Sequence, residues 1–361
     1  MRALSAVALA PDKFDIVQLQ VESPAPDEIV VEMRAAGVCH TDADELAVAD
    51  TPYVMGHEGA GVVREVGAAV EHVAVGDRVL LTWAIACGTC RQCSRGAATL
   101  CERYGYQAGH ARPGSTRDER GASVGRSFSL GTMAEVAIVR REAVVKLPED
   151  IPLASACLLG CAVMTGFGSV VNAAKVGAGS TVVVLGCGGV GLNVVQAARI
   201  VGAARIVAVD IEPSRLEMAV RMGATDPVLA PEDDRFLAAT AEEVTRMLGG
   251  GADYAFECSG VPDLGLSPLR FVRNGGTAVP VSGVESVVEA DLSLFEWDKT
   301  YLTPLYGQCR PGRDFPRLFE LYRRGLLLLD ELVTHRYSLI ELPAALADLA
   351  GRRTAKGVVV L

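Results

Sequence analysis

Residues 181–191, Thr-Val-Val-Val-Leu-Gly-Cys-Gly-Gly-Val-Gly, limit the fold more than any other stretch of the chain. Thr181–Leu185 is an apolar run without alternation, which reads as a strand covered on both faces, the habit of a parallel sheet. Gly186-Cys187-Gly188-Gly189-Val190-Gly191 satisfies G-x-G-x-x-G, and a helical pattern runs from it to about Gly202. Arg205–Asp210 reads as the next strand and Pro213–Met222 as the next helix, with proline at an early position where its missing N–H costs nothing. Asp210 closes that second strand 19 residues after Gly191.

Strand, glycine turn, helix, strand and acid in this order read as a dinucleotide site. Gly186 permits the tight turn, Gly188 lets a pyrophosphate reach the backbone, and Gly191 lets helix and strand pack closely. Gly189 and Val190 lie at the helix N-terminus, whose amides and dipole attract phosphate. Asp210 would accept the adenosine ribose hydroxyls and repel a 2′-phosphate, so NAD is expected over NADP, although Arg215 lies near enough in sequence to complicate the choice. Further strands at Asp253–Cys258 and Thr277–Val281 complete a doubly wound parallel sheet.

A chain of 361 residues is long enough for a second domain. Residues 1–150 supply one, with short strands such as Glu28–Ala36 and Gly59–Val66 that read as a small β-rich barrel. Helices are expected near 313–323 and 340–350, and a last strand at Gly357–Leu361. Ile151–Ala174 carries no charged residue and has the length of a membrane span. Pro152, Gly160, Gly166 and Gly168 within it, and the glycine loop that follows, read instead as a buried helix. A net charge of −10 argues against nucleic-acid binding. The opening MRALSAVALAPDKFD lacks the pattern of a secretory leader, so a cytoplasmic, membrane-free protein is expected.

Ten cysteines in such a chain point to metal or catalysis rather than disulfides. Cys87, Cys90, Cys93 and Cys101 form C-x2-C-x2-C-x7-C, a spacing that wraps one ion in four thiolates as a closed structural zinc site. An iron–sulfur cluster would accept the same four ligands. Arg91, Arg95 and Arg103 lie among them and can offset the excess negative charge. A second constellation is scattered: Cys39 in GVCHTD, His57 in GHEGAG, and Cys161 after Gly160. Three ligands and one open corner would make a catalytic zinc site. Taken singly, each of the three has a plain reading as a core residue.

GVCHTD, GHEGAG, the four-cysteine run, Gly160-Cys161 and GCGGVG occur together in one order, and in this the chain resembles the zinc-containing alcohol dehydrogenases of the medium-chain dehydrogenase/reductase superfamily over nearly its whole length. The resemblance implies a GroES-like β-rich catalytic domain, residues 1–162 and 306–361, and a Rossmann cofactor domain, residues 163–305. It implies two zinc ions per chain, with Cys39, His57 and Cys161 at the catalytic one. It further implies that Glu58 stands behind that metal, that Asp42 orients the histidine, and that Thr41 takes the substrate proton. His40, Arg215 and Lys356 match positions beside the cofactor phosphates and adenosine, and Trp83 matches a wall of the substrate pocket. Asp44 replaces the histidine to which many members pass the proton, and Gly105 replaces an arginine of the glutathione-dependent formaldehyde branch. The expected reaction is hydride transfer between a primary alcohol or aldehyde, aromatic ones included, and NAD. Alternatives are a thiol-adduct formaldehyde dehydrogenase, a pathway-specific ketone reductase, and a non-catalytic zinc-stabilised NAD-binding protein. The long segment Glu102–Gly131 matches dimeric members, and its arginine-rich middle, 112–126, is expected to be a solvated loop.

Overall fold

The computed structural model describes residues 1–105, 115–283 and 286–361. The chain divides into two compact units. One holds Met1–Cys161, Arg310–Gly325 and Leu329–Leu361, and the other Ala162–Cys309 with Leu326–Leu328.

The first unit is built on two sheets. In the larger, strands follow the order Val144–Lys146, Arg78–Leu81, Glu58–Val66, Glu28–Gly37, Lys356–Val360, Val333–Ser338, and Val136–Arg140 also pairs with Glu28–Gly37. Strand Glu28–Gly37 lies against three partners, and Ile29, Val30 and Val31 are fully buried. Its last residue, Gly37, has no room for a side chain: a Cβ there would meet Glu58 Oε2 at 2.0 Å. The smaller sheet runs Thr116–Arg117, Lys13–Val21, Arg2–Ala10, Tyr53–Val54, Gly125–Arg126. The segment expected as an open loop at 112–126 therefore contributes two short edge strands, while its residues 112–114 lie outside the described residues.

The second unit is a six-stranded parallel sheet in the order Asp226–Leu229, Arg205–Asp210, Thr181–Leu185, Ala252–Glu257, Val272–Pro280, Thr300–Tyr301. Numbered along the chain, that order is 3-2-1-4-5-6, the doubly wound arrangement, with its switch of direction beside Thr181–Leu185. Val182, Val183, Val184 and Leu185 are wholly buried, as the unbroken apolar run requires. Leu326–Leu328 joins this unit because Gln196, on the helix Gly189–Ile200, bonds both backbone groups of Leu328 at 3.1 and 2.7 Å. Arg199 on the same helix donates to the Leu326 carbonyl at 2.7 Å.

The apolar stretch 151–174 is not the single helix its composition suggests. Helix Leu153–Ala156 tightens into a 3-10 turn at Cys157–Gly160, and the backbone leaves helical geometry at Cys161 (φ −144°, ψ −77°) before Ala162–Gly168 resumes. Gly160 marks the break because a Cβ there would stand 2.7 Å from the Leu81 carbonyl. Among the described residues no single helix is long and apolar enough to cross a membrane.

Candidate active site and nucleotide loop

The helix His40–Ala47 begins at Cys39 with a capping box, and Asp42 is its third residue. Asp42 is 1 % exposed, and its two oxygens do different work. Oδ2 accepts the Cys39 N–H at 2.9 Å, and Oδ1 lies 3.0 Å from His57 Nδ1. A carboxylate on Nδ1 fixes the proton there and leaves Nε2 with a free lone pair. His57 Nε2 is buried and has no hydrogen-bond partner among the described residues. The ligand atoms of Cys39, His57, Glu58 and Cys161 all lie within 4.8 Å of one another, inside the first unit.

The electrostatics favour a positive occupant. The hydrogen bond with Cys161, together with the charges of Lys356 and His57, holds Cys39 well below the ordinary thiol range against its burial. Burial works against a charge on His57, but Asp42 outweighs it and the imidazole is pushed well above its usual range. A divalent ion held by Nε2 would take the place of that proton. Two sulfurs and one imidazole with an orphaned nitrogen suit zinc with one corner left for another ligand.

Behind these ligands sits a buried ion pair. Lys356 Nζ donates to Glu58 Oε1 and to the Val38 carbonyl, both at 2.8 Å. Burial pushes the Glu58 carboxyl up to about 7, with Lys356 opposing the shift. For Lys356, burial is outweighed by the Glu58 charge, and the ammonium is held above its ordinary range. With 4 % exposure and its ammonium on Glu58 and Val38, Lys356 places a positive charge beside the ligand cluster. The first structural unit also contains Thr41, whose Oγ1 lies 3.7 Å from Cys39 Sγ, and Trp83, which is 7 % exposed. Asp44 and His40 lie on exposed positions of the same helix.

The four-cysteine lobe is assembled as its spacing predicts. The sulfurs of Cys87, Cys90, Cys93 and Cys101 lie within 4.8 Å of one another, and Cys87 and Cys93 are 4.0 Å apart. Tetrahedral zinc with bonds of about 2.3 Å sets its sulfurs about 3.8 Å apart, so the lobe suits one ion rather than a multi-iron cluster. Backbone amides of Cys87, Cys90, Cys93 and Tyr104 point at the sulfurs at 3.3–3.4 Å. Such donors, first those at Thr89 and Cys90, lower Cys87 to about 6.

In the second unit, Gly186 takes the left-handed conformation (φ +85°) that the turn requires. A Cβ on Gly191 would stand 1.9 Å from the Gly186 carbonyl, so close packing enforces that glycine. In front of Gly188, the N-cap of helix Gly189–Ile200, the space is open, with Arg215 Nη1 nearest at 3.9 Å. Asp210 accepts the amides of Cys187 at 2.7 Å and Glu212 at 2.9 Å, which ties the acid to the loop. Gly189 and Val190 open the helix behind them. A dinucleotide pyrophosphate suits this open helix terminus.

Two residues beside the ligand cluster have no sequence signal. Phe128 lies on the His57 ring, centroids 4.6 Å apart and planes 29° from parallel, and meets Trp83 edge-on at 5.1 Å. Glu45, one turn beyond Asp42, accepts the Ser127 hydroxyl. Burial raises the Glu45 carboxyl, partly opposed by Ser127.

The family model for the alcohol dehydrogenase GroES-like domain matches residues 25–149, and that for the zinc-binding dehydrogenase matches residues 189–322. The NDMA-dependent alcohol dehydrogenase of Amycolatopsis methanolica is 36 % identical over 100 % of this chain and 99 % of its own length. Among solved structures, an alcohol dehydrogenase zinc-binding domain protein from Burkholderia ambifaria superposes with a TM-score of 0.91 at 33 % identity, covering 100 % of this chain and 99 % of its own. Benzyl alcohol dehydrogenase from Acinetobacter calcoaceticus superposes with a TM-score of 0.90 at 30 % identity over the same shares. With its motif set, its ligand clusters and these relatives, the chain belongs to the zinc-type alcohol dehydrogenases of the medium-chain superfamily.

Proposed function

We propose that this alcohol dehydrogenase oxidises primary alcohols, aromatic ones included, with NAD as hydride acceptor, and that it carries two zinc ions per chain. The observation that carries this reading is the orphaned His57 Nε2 among two sulfurs, with its tautomer set by Asp42. Zinc supplies a Lewis acid that lowers the pKa of an alcohol hydroxyl, and NAD accepts the hydride. Cys39, His57 and Cys161 hold the first ion, and Cys87, Cys90, Cys93 and Cys101 the second. Glu58 and Lys356 offset each other's charge behind the first, which leaves the two thiolates to neutralise the divalent ion. Thr41, beside Cys39, takes the proton from the substrate hydroxyl, and exposed Asp44 hands it to water. Asp210 receives the ribose hydroxyls, Arg215 and His40 lie by phosphate and adenosine, and Gly186 to Gly191 take the pyrophosphate. Trp83 forms one wall for the substrate. An aromatic substrate is favoured by that indole face and by the likeness to a benzyl alcohol dehydrogenase. A cytoplasmic homodimer completes the reading.

The test is a substrate screen that follows reduced nicotinamide by absorbance, paired with metal analysis. Two zinc per chain, benzyl alcohol among the better substrates and NAD preferred over NADP are expected. One zinc per chain with no turnover would replace this reading with a zinc-stabilised binding protein. Turnover of formaldehyde only in the presence of a low-molecular-weight thiol would replace it with the thiol-adduct enzyme.

A further inference from the structure

The turn Ser127–Ser129 adopts an uncommon conformation, closed by the Leu130 and Gly131 amides on the Ser127 carbonyl at 2.8 and 3.2 Å. Phe128 (φ 50°, ψ 27°) and Ser129 (φ 61°) are consecutive left-handed residues, neither of them glycine. Bulky side chains avoid this region, and where they are found in it the surroundings must enforce it. Two contacts do so. On one side the Phe128 ring lies flat on His57 and edge-on to Trp83. On the other, the Ser127 hydroxyl donates to Glu45 Oε2 from a position 82 residues away in sequence. Ser127 is 4 % exposed, and Glu45 is half-buried on the helix that also carries Thr41 and Asp42. The same helix therefore fixes the His57 tautomer through Asp42 and the ring above His57 through Glu45.

We propose that Glu45 is a positioning residue for substrate selectivity: by holding the Ser127 hydroxyl it keeps Phe128 against His57 and Trp83, and that aromatic wall sets the room beside the metal ligands. The selectivity part rests on the function proposed above; the positioning part does not. Released from Ser127, the turn can relax toward ordinary backbone angles and carry Phe128 off the imidazole. Small alcohols then lose packing and bulky ones gain space.

The test compares Ser127→Ala, Glu45→Ala and Glu45→Gln. The glutamine still offers an oxygen to the Ser127 hydroxyl and serves as the conservative rescue. All are made in a Trp297→Phe background, which leaves Trp83 the sole tryptophan of the two in the chain. Trp83 emission reports the Phe128 contact without metal or turnover. Ser127→Ala and Glu45→Ala are expected to shift that emission in the same direction as Phe128→Leu. They should also raise kcat/KM for 4-isopropylbenzyl alcohol relative to ethanol by about tenfold, the scale of one misplaced pocket wall. Glu45→Gln should stay with the parent in both readouts. Parental emission in Ser127→Ala and Glu45→Ala would overturn the proposal, as would a Glu45→Gln that behaves like Glu45→Ala. A shifted emission with an unchanged alcohol preference would overturn the selectivity claim. If the parent oxidises no alcohol, the proposed function fails, and the emission arm still decides whether Glu45 holds the wall.

Discussion

Asp42→Asn is the sharpest single perturbation of the metal cluster. The side chain is 1 % exposed, and its two acceptor oxygens face two donors, Cys39 N–H at 2.9 Å and His57 Nδ1 at 3.0 Å. Asparagine keeps the shape but replaces one acceptor by an NH2. If that NH2 faces His57, the imidazole must move its proton to Nε2, the atom meant for the metal. If it faces Cys39, two donors collide and the helix loses its cap, at about 1 kcal/mol. Either arrangement spoils the ligand, and loss of such an outer partner weakens metal binding about 10–100-fold, or about 1.4–2.7 kcal/mol. The assay titrates the zinc-loaded protein with a chromophoric chelator. The four-cysteine lobe shares no residue with Asp42 and serves as an internal reference. In the variant, one zinc per chain should leave at 10–100-fold lower chelator activity while the second stays put. Loss of both ions at the same chelator concentration as in the parent would refute the claim that Asp42 sets the histidine tautomer.

Three further outcomes are expected. Lys356→Met strands the buried Glu58 charge and should cost about 3–5 kcal/mol in urea unfolding at pH 8; the loss should shrink toward pH 6 as Glu58, already at about 7, takes up a proton, and Glu58→Gln/Lys356→Met should recover most of it. Burial, opposed by Ser259, raises the Glu257 carboxyl above its ordinary value of 4.5, so the native state binds more protons than the unfolded chain and stability from this group falls as pH rises above that value; Glu257→Gln should flatten this slope in unfolding curves taken between pH 5 and 8. Asp210→Ser should raise the NADP-to-NAD ratio of kcat/KM at least about tenfold, since it removes a charge that repels the 2′-phosphate, and an unchanged ratio would separate Asp210 from the ribose.

The parts of this molecule readable from sequence are those whose physics is local. The glycine loop announces itself because its turn puts Gly186 in left-handed angles and because a Cβ on Gly191 would meet the Gly186 carbonyl five residues earlier. The four cysteines lie within 15 residues, so their spacing alone implies a shared ion. Cys161 is harder, because an apolar run gives the same periodicity whether or not its helix is broken. The break comes from the approach of the Leu81 carbonyl to Gly160, a contact between distant segments. The family resemblance implies a cofactor contact for Lys356 but says nothing of its ion pair with Glu58, 298 residues away, where no local pattern reaches. Phe128 is invisible for a similar reason: nothing in Arg-Ser-Phe-Ser-Leu asks for left-handed angles until His57, Trp83 and Glu45 surround it.

The Lys356 ammonium also bonds the Val38 carbonyl, next to the first sulfur ligand and 318 residues earlier in the chain. A ribosome delivers Cys39, His57 and Cys161 long before it delivers this lysine. Until strand Lys356–Val360 docks on Glu28–Gly37, a nascent catalytic unit must leave Glu58 hydrated or protonated. Charge balance beside Glu58 thus waits for a segment 298 residues further along the chain, whereas the four-cysteine lobe is complete by Cys101.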